Sequence, residues 1–183
     1  MPRSVPRQLA RTAAASLLVA VALSSAQPAL AAPAASAAAV RVPCRPTALA
    51  AAITGAVSGE TLQLAPSCRY VLTAPLPAVS QNLTIQGRKA TLERSSLPAT
   101  AQFSILTVAA GNLAVSQLNF RNGNGGAITF DPLTTGSLSV TEASFTDNTG
   151  GAVNFGQFAS GALSVIQSAF TRNTGGAINA TLE

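Results

Sequence analysis

Histidine and tryptophan are absent from these 183 residues, methionine occurs once and cysteine twice. Without histidine, Ser-His-Asp triads, His-ligated zinc and imidazole acid–base chemistry are excluded. Charge is also scarce. Charged residues make up 9% of the chain, against about 25% in a typical globular protein. The formal net charge is +5, but Arg3, Arg7 and Arg11 fall in the N-terminal segment and the remainder is close to balanced. That is no electrostatic footprint for nucleic acid. The chain also lacks an apolar run of membrane-spanning length. Its longest, Ala13 to Leu23, is well short of the ~20 residues a span needs. A chain of this length is expected to hold one domain.

Residues 1–31 read as a secretory signal peptide, with a positive start, a short apolar run, and Ala29-Leu30-Ala31 as a small-x-small cleavage pattern. Cleavage is placed between Ala31 and Ala32. An uncleaved N-terminal anchor is the competing reading. Cys44 follows Val-Pro, which is no lipid-attachment context. The expectation is therefore a secreted protein, extracellular or associated with the cell surface, and not membrane-spanning once processed. In an oxidising compartment the even pair Cys44 and Cys68 predicts one disulfide. Its loop of about 25 residues corresponds to about 3 kcal/mol of stabilisation in the chain-entropy description. A redox or metal role for the pair is the alternative, with wide spacing and no other soft ligands against it.

Residues 32–43 read as an Ala/Pro/Ser linker without periodicity, and 44–183 as the folded domain. Within it, 44–56 form an N-terminal cap holding the one persuasive helix. Thr47 is its expected N-cap, Gly55 its stop, and Leu49, Ile53 and Ala56 its apolar face. From 57 to 110 the pattern is of short alternating strands, including Thr61 to Leu64, Tyr70 to Thr73 and Leu83 to Gln86. From 111 to 183 a repeat of period 25 runs three times without gaps. Leu113, Leu138 and Leu163 coincide, as do Val115, Val140 and Val165, and Phe120, Phe145 and Phe170. Gly125-Gly126-Ala127-Ile128 recurs at Gly150 and Gly175.

Strict alternation and abundant Gly, Thr, Asn and Val exclude a helical solenoid. One coil of a parallel β-helix fits: short strands stacked coil on coil at the ~4.8 Å inter-strand spacing, with like residues forming internal ladders. The second glycines of each pair, Gly126, Gly151 and Gly176, suit a tight corner. Asn148 and Asn173 share a position just before that corner, where amides can bond between coils. Gly123 occupies it in the first repeat, leaving the ladder incomplete.

The Phe-x-x-Asn and Gly-Gly-Ala-Ile/Leu/Val pairing resembles the repeats of chlamydial polymorphic outer-membrane proteins, and those of secreted bacterial right-handed β-helix proteins of the pectate-lyase-like superfold. Phe145-Thr146-Asp147-Asn148 and Phe170-Thr171-Arg172-Asn173 match; Phe120-Arg121-Asn122-Gly123 departs at its last position. The resemblance implies an all-β, right-handed parallel β-helix with a short N-terminal capping helix. It specifies architecture better than activity.

As that resemblance implies, lyases of this superfold gather acidic residues around calcium beside a basic residue, and its hydrolases pair carboxylates in a groove. In the repeats, Glu142 falls between Gln117 and Gln167, Asp147 between Asn122 and Arg172, and Asp131 stands alone. No two of them share a ladder or an adjacent offset in neighbouring coils. No catalytic residue, metal site or cofactor is therefore expected. Asp147 with Arg172 reads as a surface ion pair, and Arg88-Lys89 as a small basic turn able to meet an acidic glycan. The favoured function is a non-enzymatic structural, adhesive or glycan-contacting module, with a polysaccharide or cell-surface component as partner. A polysaccharide lyase or glycoside hydrolase, truncated or with a sparse site, is the alternative. The last coil stops at Glu183 without a cap, so end-to-end self-association is a further expectation.

Overall fold

The computed structural model describes residues 38–131, 134–155 and 161–180. The segment expected to be a signal peptide, its expected Ala31–Ala32 cleavage point and the first six residues of the expected linker lie outside them. The described chain runs β1 (Val40–Val42), α1 (Pro46–Gly55), β2 (Glu60–Leu64), β3 (Arg69–Leu72), β4 (Leu83–Arg94), β5 (Leu106–Val108), β6 (Leu113–Arg121), β7 (Ile128–Phe130), β8 (Leu138–Thr141), β9 (Ser144–Thr146), β10 (Val153–Phe155), β11 (Leu163–Ile166), β12 (Ala169–Thr171) and β13 (Ile178–Ala180). Among the described residues all strand pairings are parallel, in one sheet of nine strands and one of four. This is a parallel β-helix of about five turns.

The register follows the sequence repeat. Leu83, Leu113, Leu138 and Leu163 are successive partners, as are Ile85, Val115, Val140 and Val165. In the second sheet Leu106, Ile128, Val153 and Ile178 align. Alternation sends these side chains inward and their neighbours outward, because successive Cβ atoms leave opposite faces of a strand. Phe120, Phe145 and Phe170 stack at centroid distances of 5.0 and 4.9 Å with nearly parallel planes. The row extends back through Leu92 to Tyr70. Tyr70 is fully buried, its hydroxyl donating to the Val42 carbonyl at 3.2 Å and accepting from the Ala65 amide at 3.2 Å.

Asn148 is fully buried. Its Oδ1 accepts from the Gly123 amide at 2.9 Å, and its Nδ2 donates to Phe120 O at 3.3 Å and to Asn173 Oδ1 at 2.9 Å. Asn173 Oδ1 also accepts from the Asn148 amide at 3.0 Å, and its Nδ2 donates to Phe145 O at 2.9 Å. Each amide thus satisfies backbone groups that the turn takes out of the strand ladder. Gly123 is not a simple gap in this row: a Cβ there would collide with the Gly126 carbonyl and lie 3.1 Å from Asn148 Oδ1.

At the N-terminal end α1 lies against β1 and β3 and buries Leu49 and Ile53. Cys44 and Cys68 form the expected disulfide, with Cα atoms 5.7 Å apart. Three local expectations are corrected. Thr47 is not the N-cap: the helix starts at Pro46, whose fixed φ suits its first turn, and Arg45 caps it without a side-chain bond. Gly55 is the last helical residue rather than a left-handed stop, and Ala56 leaves in extended conformation. The stretch read as linker contributes β1, because Val40, Arg41 and Val42 find open strand edge at Leu62, Gln63 and Leu64.

Candidate functional site

The coils turn at polar residues as well as at glycines. Gln117, Glu142 and Gln167 form one row of corners with φ of 51°, 51° and 49°; Asn122, Asp147 and Arg172 form another with φ of 58°, 56° and 51°. A left-handed residue bends the strand without breaking the stack, and such positions are uncommon for anything but glycine. The repeat alignment places these residues together but gives no sign of their backbone state. What it misses is that both rows are left-handed bends, exposed at Gln117, Glu142, Gln167 and Arg172 and half-buried at Asn122 and Asp147.

Between the two rows the outward residues of β4, β6, β9 and β12 form a polar face. Thr91, Asn119 and Ser144 stack in one line, and Glu93, Arg121 and Thr146 in the next. Asn119 Oδ1 accepts from the Ser144 hydroxyl at 2.6 Å. Thr91, Asn119, Arg121, Ser144, Thr146 and Arg172 line an open groove of about 270 Å³ along this face.

Both carboxylates here are held by arginine. Arg172 grips Asp147 through Nε at 2.6 Å and Nη2 at 3.0 Å, and Arg121 approaches the second oxygen at 3.5 Å. The Arg172 hydrogen bond, with the nearby positive charges, holds the Asp147 carboxyl below the usual carboxylate range, partial desolvation opposing it. The Arg172 guanidinium is correspondingly raised. Periodicity pairs Asp147 with Arg172 correctly; it does not reveal the second arginine.

Glu93 sits outside the three regular repeats and was given no place by periodicity. Its side chain is only 5% exposed. Arg69 donates to it through Nε at 2.6 Å and Nη2 at 2.8 Å, and Asn122 Nδ2 donates at 3.0 Å. Its register partner is Arg121, next to the Asn122–Asp147–Arg172 corner row. Five charged residues, Arg69, Glu93, Arg121, Asp147 and Arg172, therefore line one edge of the face. Glu142 belongs to the other corner row, accepting from Gln117 Nε2 at 2.9 Å. Among the described residues no group of three His, Cys, Asp or Glu is gathered as a metal site.

A bidentate arginine pair suits a carboxylate that must stay ionised. It is the opposite of what a general acid needs, which is a carboxyl raised by desolvation or by a like charge. The groove instead presents guanidinium, amide and hydroxyl groups along the outer face of the stacked strands. That set can bind hydroxylated or anionic chains along the stacking direction.

No model of a known protein family matches the chain, and no curated protein matches it. Among solved structures it is similar to a point mutant of the PL6 family alginate lyase AlyGC, with a TM-score of 0.61 and 19% identity. The match covers 74% of this chain and 20% of that one, so the chain spans about a fifth of the lyase's length. At this identity the likeness establishes the β-helix fold. Among the described residues no helix is long and apolar enough to cross a membrane.

Proposed function

We propose that this protein is a secreted, non-catalytic β-helix module that contacts an acidic polysaccharide outside the cell or at its surface. The observation that carries the reading is the state of the two carboxylates on the polar face. Asp147 and Glu93 are each saturated by bidentate arginine, so neither is free for acid or base work. The same arrangement leaves Arg121 exposed beside the groove, its closest carboxylate contact 3.5 Å long. A uronate carboxylate competes well for such a group. The disulfide fits an oxidising, extracellular setting, and the fold is one on which a polysaccharide lyase is built.

A lyase is the second reading, favoured by that structural neighbour. β-Elimination needs a base to take a proton beside the uronate carboxyl. Arg172 is poorly suited, because its pairing with Asp147 stabilises the protonated form.

The test is to titrate the secreted protein with polygalacturonate and alginate while following ultraviolet absorbance for unsaturated uronates. Saturable binding without absorbance growth, weakened in Arg121→Gln, is the expected result. Steady product release at catalytic enzyme concentration would replace the module by the lyase. Sedimentation over a concentration series tests end-to-end self-association alongside.

A further inference from the structure

A second cationic site, sharing no lining residue with the groove beside Arg121, lies around the strand segments that precede the Gln117 corner row. The outward row there is Arg41, Gln63 and Gln86, partners in successive strands, with Gln63 Nε2 donating to Gln86 Oε1 at 3.3 Å. Directly after Gln86 the register between β4 and β6 shifts, resuming at Ala90 opposite Leu118. Gly87, Arg88 and Lys89 thus occupy a corner that the next coil turns with Gln117 alone. Arg88 and Lys89 both take left-handed backbone, with φ of 51° and 65°.

At this corner the next three coils turn with a single left-handed residue each, Gln117, Glu142 and Gln167. Here the corner is two residues longer and has a second left-handed position, both left-handed residues being cationic, and an extra such position costs conformational energy. The corner is also fixed in place. Ser67 N donates to Arg88 O at 3.0 Å, and Asn119 Nδ2 donates to Lys89 O at 3.4 Å and Ala90 O at 3.2 Å. Gly87 cannot carry a side chain, because a Cβ would lie 2.7 Å from that of Leu118 and strike the Gln117 carbonyl.

Arg41, Pro43, Gln63, Leu64, Pro66 and Arg88 are among the residues lining a groove of about 230 Å³. Among the described residues none of Arg41, Arg88 and Lys89 has a carboxylate within ion-pair distance, whereas Arg69, Arg121 and Arg172 all do. The first carboxylate along this corner row is Glu142, beyond Gln117. A lining that combines prolines with two arginines and a glutamine matches one acidic sugar in its chemistry: ring C–H groups for the prolines, carboxylate or sulfate for the arginines. The volume is below the ~300–1,000 Å³ of a drug-sized pocket, so it takes one unit of a chain rather than an extended ligand.

We infer that Arg41 and Arg88, which line this groove, with Lys89 next to Arg88 on the same corner, form a dedicated subsite for the anionic group of an acidic polysaccharide, distinct from the groove beside Arg121 and Arg172. The ligand class rests on the glycan-contacting reading; the position of the subsite does not.

The test is an amide-resolved NMR titration of the secreted protein with a short oligogalacturonide, beside affinity measurements on Arg88→Asn/Lys89→Asn. Asparagine is chosen because it tolerates the left-handed region. The expected result is shifts at Arg41, Arg88 and Lys89, with about tenfold weaker binding of polygalacturonate in the double variant, shallower salt dependence and unchanged thermal melting. A neutral dextran should show neither effect. Shifts confined to Arg121 and Thr146, with wild-type affinity in the double variant, would overturn the subsite and leave the proposed function standing. Shifts nowhere would overturn both. Preferential binding of this corner to phosphatidylglycerol vesicles over polygalacturonate would overturn the polysaccharide assignment.

Discussion

Replacing Asn148 by alanine should destabilise the β-helix far more than the same change one coil later. Asn148 is fully buried and its amide serves three partners: the Gly123 N–H, the Phe120 carbonyl and the Asn173 side chain. Truncation strands the first two in the turn, where water cannot reach them without opening the coil. An unsatisfied buried donor or acceptor costs about 1–3 kcal/mol. The carbonyl has a second lone pair and stands at the lower end, which gives about 2–4 kcal/mol in all. For a chain of this size each kcal/mol moves the melting temperature by about 2–4 °C, so the expected fall is about 5–15 °C. Asn173 makes the equivalent bonds but is only partly buried, and solvent can replace what Asn173→Ala removes. Its loss should be less than half as large. The assay is urea unfolding followed by far-ultraviolet circular dichroism, since tryptophan is absent and Tyr70 reports only the N-terminal coils. Asn148→Asp is the control: it keeps the acceptor for Gly123, loses the donors and buries a charge, so its deficit should shrink as pH falls. An unchanged midpoint for Asn148→Ala, or a loss no greater than at Asn173, would refute the reasoning that the ladder carries the turn.

Three further outcomes are expected. Cys44→Ser/Cys68→Ser should lower unfolding free energy by about 3 kcal/mol through the freed loop, read as a shift in urea midpoint; no shift would mean the bridge adds nothing to the contacts of α1. Gly136→Ala should be strongly destabilising, because its Cβ would meet the Gly111 carbonyl of the coil beneath; differential scanning calorimetry showing wild-type melting would contradict that stacking. Asp147 is depressed in the folded state, so its contribution is present above the unfolded carboxylate pKa of about 3.9 and disappears as pH falls through the folded value. Asp147→Asn should therefore lower stability slightly at neutral pH, converge with wild type in acid and so flatten part of the acid limb of a stability–pH curve; an unaltered acid limb would refute this.

The architecture was legible because a β-helix is written locally. Each coil repeats a short pattern, so Leu on Leu, Val on Val and Phe on Phe could be aligned without knowing any long-range contact. The disulfide followed from an even cysteine pair, and the Asp147–Arg172 contact from a shared offset. Left-handed backbone at Gln117, Glu142 and Asp147 was not legible, since their side chains do not require it; the stacked coil above and below imposes it. The start of α1 at Pro46 and the strand at Val40–Val42 were missed for a related reason. Three residues have too little propensity of their own, and β1 forms only because Leu62 to Leu64 offers an open edge. Glu93 and the doubled corner at Arg88-Lys89 lie where the period breaks. Coils there differ in length, the partner offset between Gln63 and Gln86 being 23, that between Asn82 and Asn112 being 30, and the regular one 25. The repeat thus determined the fold, its core rows and its ladders. Which charges meet, and which cations remain unpaired, depended on how the irregular coils seat against the regular ones.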